Sequence, residues 1–103
     1  MATVPMTLLT IVAEEVLEQR LVRALHDAGI AGYTVTPARG EGARGLRHGA
    51  NGANIRLETI TTTEAAEGLL DHLRAHYFAN YAIVAWLSDV RVAREEKYQP
   101  EHR

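Results

Sequence analysis

GYTVTPARGEGARGLRHGANGANIRLET, residues 32–59, sets two extended segments on either side of a glycine- and arginine-rich stretch, with no helical period between them. The first segment, 32–36, alternates as a strand, and Pro37 is expected to end it. The second, 53–59, alternates again, with Ile55 and Leu57 directed to one side and Arg56 and Glu58 to the other. Between them, residues 38–52 carry five of the chain's eight glycines (Gly40, Gly42, Gly45, Gly49 and Gly52). Nothing there repeats at a strand or helix period, so the segment reads as a mobile loop. Two consecutive strands joined by a loop exclude a dinucleotide-binding βαβ unit at this place, because there the first strand would feed a helix.

The flanking sequence completes the pattern. Residues 7–12 (TLLTIV) form an apolar, β-branched run without clean alternation, as suits a central strand buried on both faces. Residues 14–28 follow with Leu17, Leu21, Leu25, Ala24 and Ala28 on one helical stripe, two glutamates at the start and Gly29 as a left-handed stop. Thr61-Thr62-Thr63-Glu64 fits a capping box that opens a second helix, whose buried stripe is Ala66, Leu69, Leu70, Leu73 and Tyr77. Residues 82–87 (AIVAWL) form a fully apolar fourth strand. Val90-Arg91-Val92 either extends it or makes an extra edge, and 95–103 reads as a polar C-terminal tail. The order β-α-β-β-α-β is the split βαβ of the α+β, ferredoxin-like two-layer sandwich, here one domain over residues 1–103. Both helices then cover one sheet face. The first and fourth strands are apolar on both sides, so the uncovered face calls for burial against further copies of the chain. The sequence does not by itself fix their number.

Composition narrows the function classes. At 103 residues, with 47 % apolar and 23 % charged residues, the chain is ordinary globular material with room for one core. A net charge of −2 does not mark a nucleic-acid or membrane surface, and the lack of cysteine removes disulfides and thiolate metal sites. The first fifteen residues have no basic n-region, and their apolar run is too short for a secretory core or a spanning helix, so a soluble cytoplasmic protein is expected.

The chemistry concentrates at 40–49. Glycines let several backbone N–H groups converge on one anion, and the guanidinium forks of Arg44 and Arg47 match phosphate oxygens. Arg39 and His48 add positive potential, opposed only by Glu41. A solvated hairpin with idle arginines is the competing reading. The stretch lacks the Gly-Lys-Ser/Thr ending of a P-loop.

At these residues the chain resembles a known family. Gly32-Tyr33-Thr34-Val35, then Gly40-x-Gly42-x-Arg44-x-x-Arg47, then Ala53-Asn54-Ile55 with Glu58, and finally Tyr77-Phe78 and Tyr81-Ala82, are similar to the PII-like signalling proteins. The similarity spans about residues 7 to 93, and it is greatest to the bicarbonate-linked branch of SbtB and carboxysome-associated PII proteins. It implies a homotrimer with an adenine nucleotide in each cleft between subunits. It further implies phosphate binding by Arg44 and Arg47, backbone N–H donors at Gly42 and Ala43, and an adenine edge read by the backbone of Ala82 and Ile83. The implied ligands are ADP and AMP, with ATP and cyclic AMP as further candidates, and bicarbonate beside ADP, for which His48 is a candidate donor. The implied role is a sensor that is not an enzyme and needs no cofactor. It would regulate inorganic-carbon uptake or fixation through a bicarbonate transporter or a carboxysome component, and this would place it in the carboxysome or at the membrane periphery by way of its partner. Three departures stand out. The loop is several residues shorter than in SbtB proteins, Ala43 replaces a family serine, and the cysteine-containing C-terminal motif has no counterpart, which favours the carboxysome-associated branch.

Other residues have plainer readings. His72 and His76 have the i,i+4 spacing of a ligand pair but lack the third and fourth donors that zinc requires, so no metal is expected. Glu58 could accept from a ribose hydroxyl, although a strand ion pair is the simpler reading. Trp86 and Tyr81 could stack on a base, although a tryptophan in an apolar strand is usually core. Arg91 and Arg94 read as solvated. Two other functions stay open: a slow nucleotide hydrolase, for which no acid–base pair or nucleophile stands at recognisable spacing, and an RNA-binding ferredoxin-like module, for which the RRM aromatic pattern is missing and the charge has the wrong sign.

Overall fold

The computed structural model describes residues 2–30, 32–40 and 53–100. The elements run β1 (Val4–Glu14), α1 (Glu18–Asp27), β2 (Thr34–Ala38), β3 (Asn54–Thr61), α2 (Thr63–His76) and β4 (Ile83–Val92), with single 3₁₀ turns at Glu15–Leu17 and Glu95–Lys97. The strands form one antiparallel sheet in the order β2-β3-β1-β4. This is the ferredoxin-like βαββαβ arrangement expected from the element order.

Alternation along the strands divides the side chains between two faces. Leu9, Ile11 and Ala13 of β1, Ile55 and Leu57 of β3 and Ile83 of β4 meet Leu17, Leu21 and Leu25 of the first helical segment and Ala66, Leu69 and Leu73 of α2 in one buried cluster. The opposite face carries the row Thr34–Glu58–Thr10–Trp86 across all four strands. Thr10 is fully buried even there, so β1 is covered on both sides at its centre, as its unbroken apolar run requires.

Several expectations are corrected in detail. Ala28 is exposed and Ala24 half-buried, so the α1 stripe rests on its leucines. The helix stops as expected at Gly29, whose φ is 80°. Pro37 does not end β2 but lies inside it opposite Ile55. A proline is tolerated there because β2 is an edge strand with a neighbour on one side only. Trp86 is not core. It points from β4 onto the uncovered face, 41 % exposed, with the Arg56 guanidinium 5.7 Å from its ring centre. Val90-Arg91-Val92 extends β4. Arg91 is not simply solvated, because its Nε donates to Thr3 Oγ1 at 2.8 Å.

The start of α2 shows how a one-residue shift changes each threonine's role. The N-cap is Thr62, whose hydroxyl accepts from Ala65 N–H at 3.2 Å, so Glu64 falls one place short of the capping-box position. Thr63 pairs its hydroxyl with that of Thr7 at 2.6 Å. Thr61 still belongs to β3, fully buried opposite Thr7, and its hydroxyl has no partner among the described residues. Its strand pairing, not a cap, holds it there. Thr62→Ala should therefore lower stability by about 1 kcal/mol through loss of the cap. Thr61→Val should raise it by about 1 kcal/mol by removing an unsatisfied buried hydroxyl. Urea unfolding at a fixed protein concentration compares the two. Equal loss in both variants would show that Thr61 makes a bond the cap argument omits.

Candidate functional site

Two regions at opposite ends of the β2–β3 pair carry the chemistry. The first is a cleft of about 470 Å³ lined by Ile30 and Gly32 after α1, Tyr33 and Thr34 at the start of β2, Glu58–Ile60 of β3, Leu8 of β1 and 97–99. Its floor follows from the fold. The left-handed Gly29 turns the chain back, with Ile30 N–H donating to Leu25 O at 2.9 Å, and the Thr59 hydroxyl holds Gly32 O at 2.6 Å. Register then sets Thr34 beside Glu58. The walls are Leu8, Ile30, Ile60, Tyr98 and Tyr33, the last 41 % exposed. Polar groups stand at the margin: the Glu58 carboxylate, 3.5 Å from Arg56, and the Lys97 ammonium. Apolar walls with a few placed polar groups suit a flat heterocycle bearing a polar substituent.

The second region is the opposite end, where β2 stops at Ala38 beside Asn54 and β1 stops at Glu14. Ala82 lies just before β4, and its N–H donates to Glu14 Oε2 at 2.9 Å. Ile83 is in the core and pairs with Ala13, so its side chain is not available to a ligand. Beside them the Arg20 guanidinium donates to the Tyr81 hydroxyl at 3.0 Å, a bond that raises the guanidinium pKa above its ordinary value. Tyr81 continues into Tyr77 and His72 through ring contacts of 5.8 and 5.9 Å. The rings of His72 and His76 lie 4.5 Å apart, tilted by 44°, and no group of three or more metal-ligating side chains occurs among the described residues.

Of the residues singled out in the sequence, Gly42, Ala43, Arg44, Arg47 and His48 lie outside the described residues. Ala82 and Ile83 are placed at the Glu14 end. Glu58 makes the strand ion pair with Arg56 and also lines the cleft. Sequence reasoning misses the role of Ile30, Lys97 and Tyr98. Their one local signal is a lysine–tyrosine pair inside a stretch that reads as a polar tail. Thr34 and Ala38 are four residues apart in an extended strand, which separates the two regions by about 13 Å along β2.

No helix among the described residues is long and apolar enough to cross a membrane. The chain matches the family model described as nitrogen regulatory protein P-II over residues 6–97. It is 49 % identical to a protein of Thermus thermophilus described as a PII-like signalling protein, covering 95 % of this chain and 99 % of that one with a TM-score of 0.83. Its fold also matches CPII, a nitrogen regulatory PII-like protein of Thiomonas intermedia. The structure of CPII bound to ADP, AMP and bicarbonate aligns over 95 % of this chain and 97 % of that one, at 23 % identity and a TM-score of 0.85. A second CPII structure, bound to ADP, AMP and acetate, covers 96 % and 99 % at 23 % identity and a TM-score of 0.85. A family model spanning nearly the whole sheet and both helices, joined to a relative sharing half its residues, leaves one conclusion: the chain belongs to the P-II family.

Proposed function

We propose that this protein is a PII-like sensor of the bicarbonate-linked branch that binds ADP or AMP between subunits of a homotrimer and passes nucleotide state to a protein partner. The observation that carries this reading is the cleft at Tyr33, Glu58 and Lys97, which joins apolar and aromatic walls to a carboxylate and an ammonium in a volume of nucleoside size. A base stacks on apolar and aromatic surface, a ribose diol donates to a carboxylate, and a phosphate seeks a cation. The ADP and AMP held by CPII agree with that chemistry, and its bicarbonate motivates the same ligand here.

The separation of the two regions supports a site shared between copies. The cleft and the Ala82 end of one protomer stand at opposite ends of the sheet, and in this reading a neighbour in a ring supplies the Ala82 end of the shared site. Exposed Val84 and Trp86 on the uncovered sheet face give such a ring apolar surface to bury. In this reading Arg44 and Arg47 hold phosphates and His48 donates to bicarbonate. Residues 1–103 act as one domain, and ATP and cyclic AMP compete for the same place. Signalling then means that ligand contacts fix 38–52 in a form that a bicarbonate transporter or a carboxysome component recognises. Catalysis has no part in it.

Calorimetry of AMP, ADP, ATP and cyclic AMP, with and without bicarbonate, tests the reading directly. Arg44→Ala and Arg47→Ala should each weaken ADP by about 1.5–3 kcal/mol, the loss of a charge-assisted hydrogen bond. Unchanged affinity in both would move the phosphate site elsewhere. Glu58→Ala should weaken ADP about tenfold and abolish the wild-type preference for ADP over 2′-deoxy-ADP. A preference that survives the substitution would separate Glu58 from the ribose. Sedimentation should give a trimer, and a lone subunit would end the shared-site reading.

A further inference from the structure

β1 ends with a carboxylate resting on an amide instead of a cation. The ladder between β1 and β4 closes at the Ala13–Ile83 pair, so the next N–H, that of Ala82, has no strand partner. Glu14 Oε2 takes it at 2.9 Å. Glu14 is half-buried and forms no ion pair among the described residues. On its other side it stands in register with Asn54, and the N–H of Glu15 donates to Ala53 O at 3.2 Å. The Arg20 guanidinium meets Tyr81, the residue before Ala82. A backbone N–H without a strand partner is a place for an acceptor, and here the acceptor is a carboxylate of the same protein.

We infer that the Glu14 carboxylate is an intramolecular competitor for the Ala82 N–H and thereby sets the protein's preference among adenine ligands. The inference rests on the proposal that Ala82 faces the nucleotide. A ligand acceptor can take the Ala82 N–H only when Oε2 leaves it. Once displaced, the carboxylate still lies close by and repels a ligand in proportion to its negative charge. Glu14 therefore opposes every adenine ligand, adenosine included, by holding the Ala82 N–H, and opposes the charged ones further by repulsion, ATP more than ADP and ADP more than AMP. Affinity for the more highly charged nucleotides is held down by the protein itself.

The test is calorimetry of adenosine, AMP, ADP and ATP with wild type, Glu14→Gln and Glu14→Ala. Glutamine keeps an acceptor at Ala82 without the charge, so Glu14→Gln also serves as the variant that preserves the local fold, checked by circular dichroism. ADP should bind Glu14→Gln about tenfold tighter than wild type, the equivalent of one repulsive unit interaction at short range. In Glu14→Gln the gain should grow from AMP to ATP and be smallest for adenosine, and Glu14→Ala, which also removes the competing acceptor, should add a further gain shared by all four ligands. A carboxylate that merely pins residues 77–82 gives the reverse: Glu14→Ala loses adenosine and ADP alike and Glu14→Gln restores both, which overturns the inference while leaving nucleotide binding intact. Wild type that binds none of the four ligands removes the functional proposal and this inference together.

Discussion

Two helices can cover only one face of a four-stranded sheet, and the rest of this molecule is arranged around that shortage. The leucines of α1 and α2 close over Leu9, Ile11, Ile55 and Leu57, and this single cluster holds both helices and three of the strands. The other face has no such cover. There the chain uses a layer of its own side chains, with Arg56 over Trp86 and against Glu58, which hides Thr10 but leaves the tryptophan partly in water. Hydrophobic burial is roughly proportional to area removed from water, so the exposed remainder of that face is a residual driving force for association. The same sheet that builds the fold thus also supplies the motive for assembly.

Register converts this scaffold into sites. Thr34 lies beside Glu58 and Ala38 beside Asn54 because the hydrogen-bond ladder fixes them, and a slip of one residue would send Glu58 to the helical face. The cleft has Glu58 at its margin for that reason. Chemistry at the other end depends on where the β1–β4 ladder stops, since the amide just past the last pair has no strand partner and turns to the Glu14 carboxylate. Both candidate regions are therefore consequences of strand ends and strand pairing, and neither needs a specialised local motif.

How much of this is legible in advance follows the same division. Ile55 and Leu57 alternating with Arg56 and Glu58 reveal the strand and its inward face, and Leu17, Leu21 and Leu25 with Gly29 reveal a helix and its end, because each signal is local. Pro37 misleads because a proline breaks a strand only where its nitrogen would face a neighbouring strand, and edge position is a property of the whole sheet. Trp86 reads as core from its apolar neighbours in β4, but which face of a sheet goes uncovered is settled by the helices. Thr61 and Thr62 are indistinguishable by type, and only the register with Thr7 separates the buried one from the cap. The cleft is least legible of all. Ile30, Glu58 and Tyr98 are far apart in sequence and carry no common spacing.

The proline in β2 has a bearing on how copies can meet. An exposed strand edge is normally a row of donors and acceptors onto which a foreign strand can add without limit. At Pro37 the backbone nitrogen has no hydrogen to offer, in a strand of only five residues. On that flank the sheet is a poor template for fibrillar growth, which biases contacts there toward side-chain packing and finite, ring-closed particles.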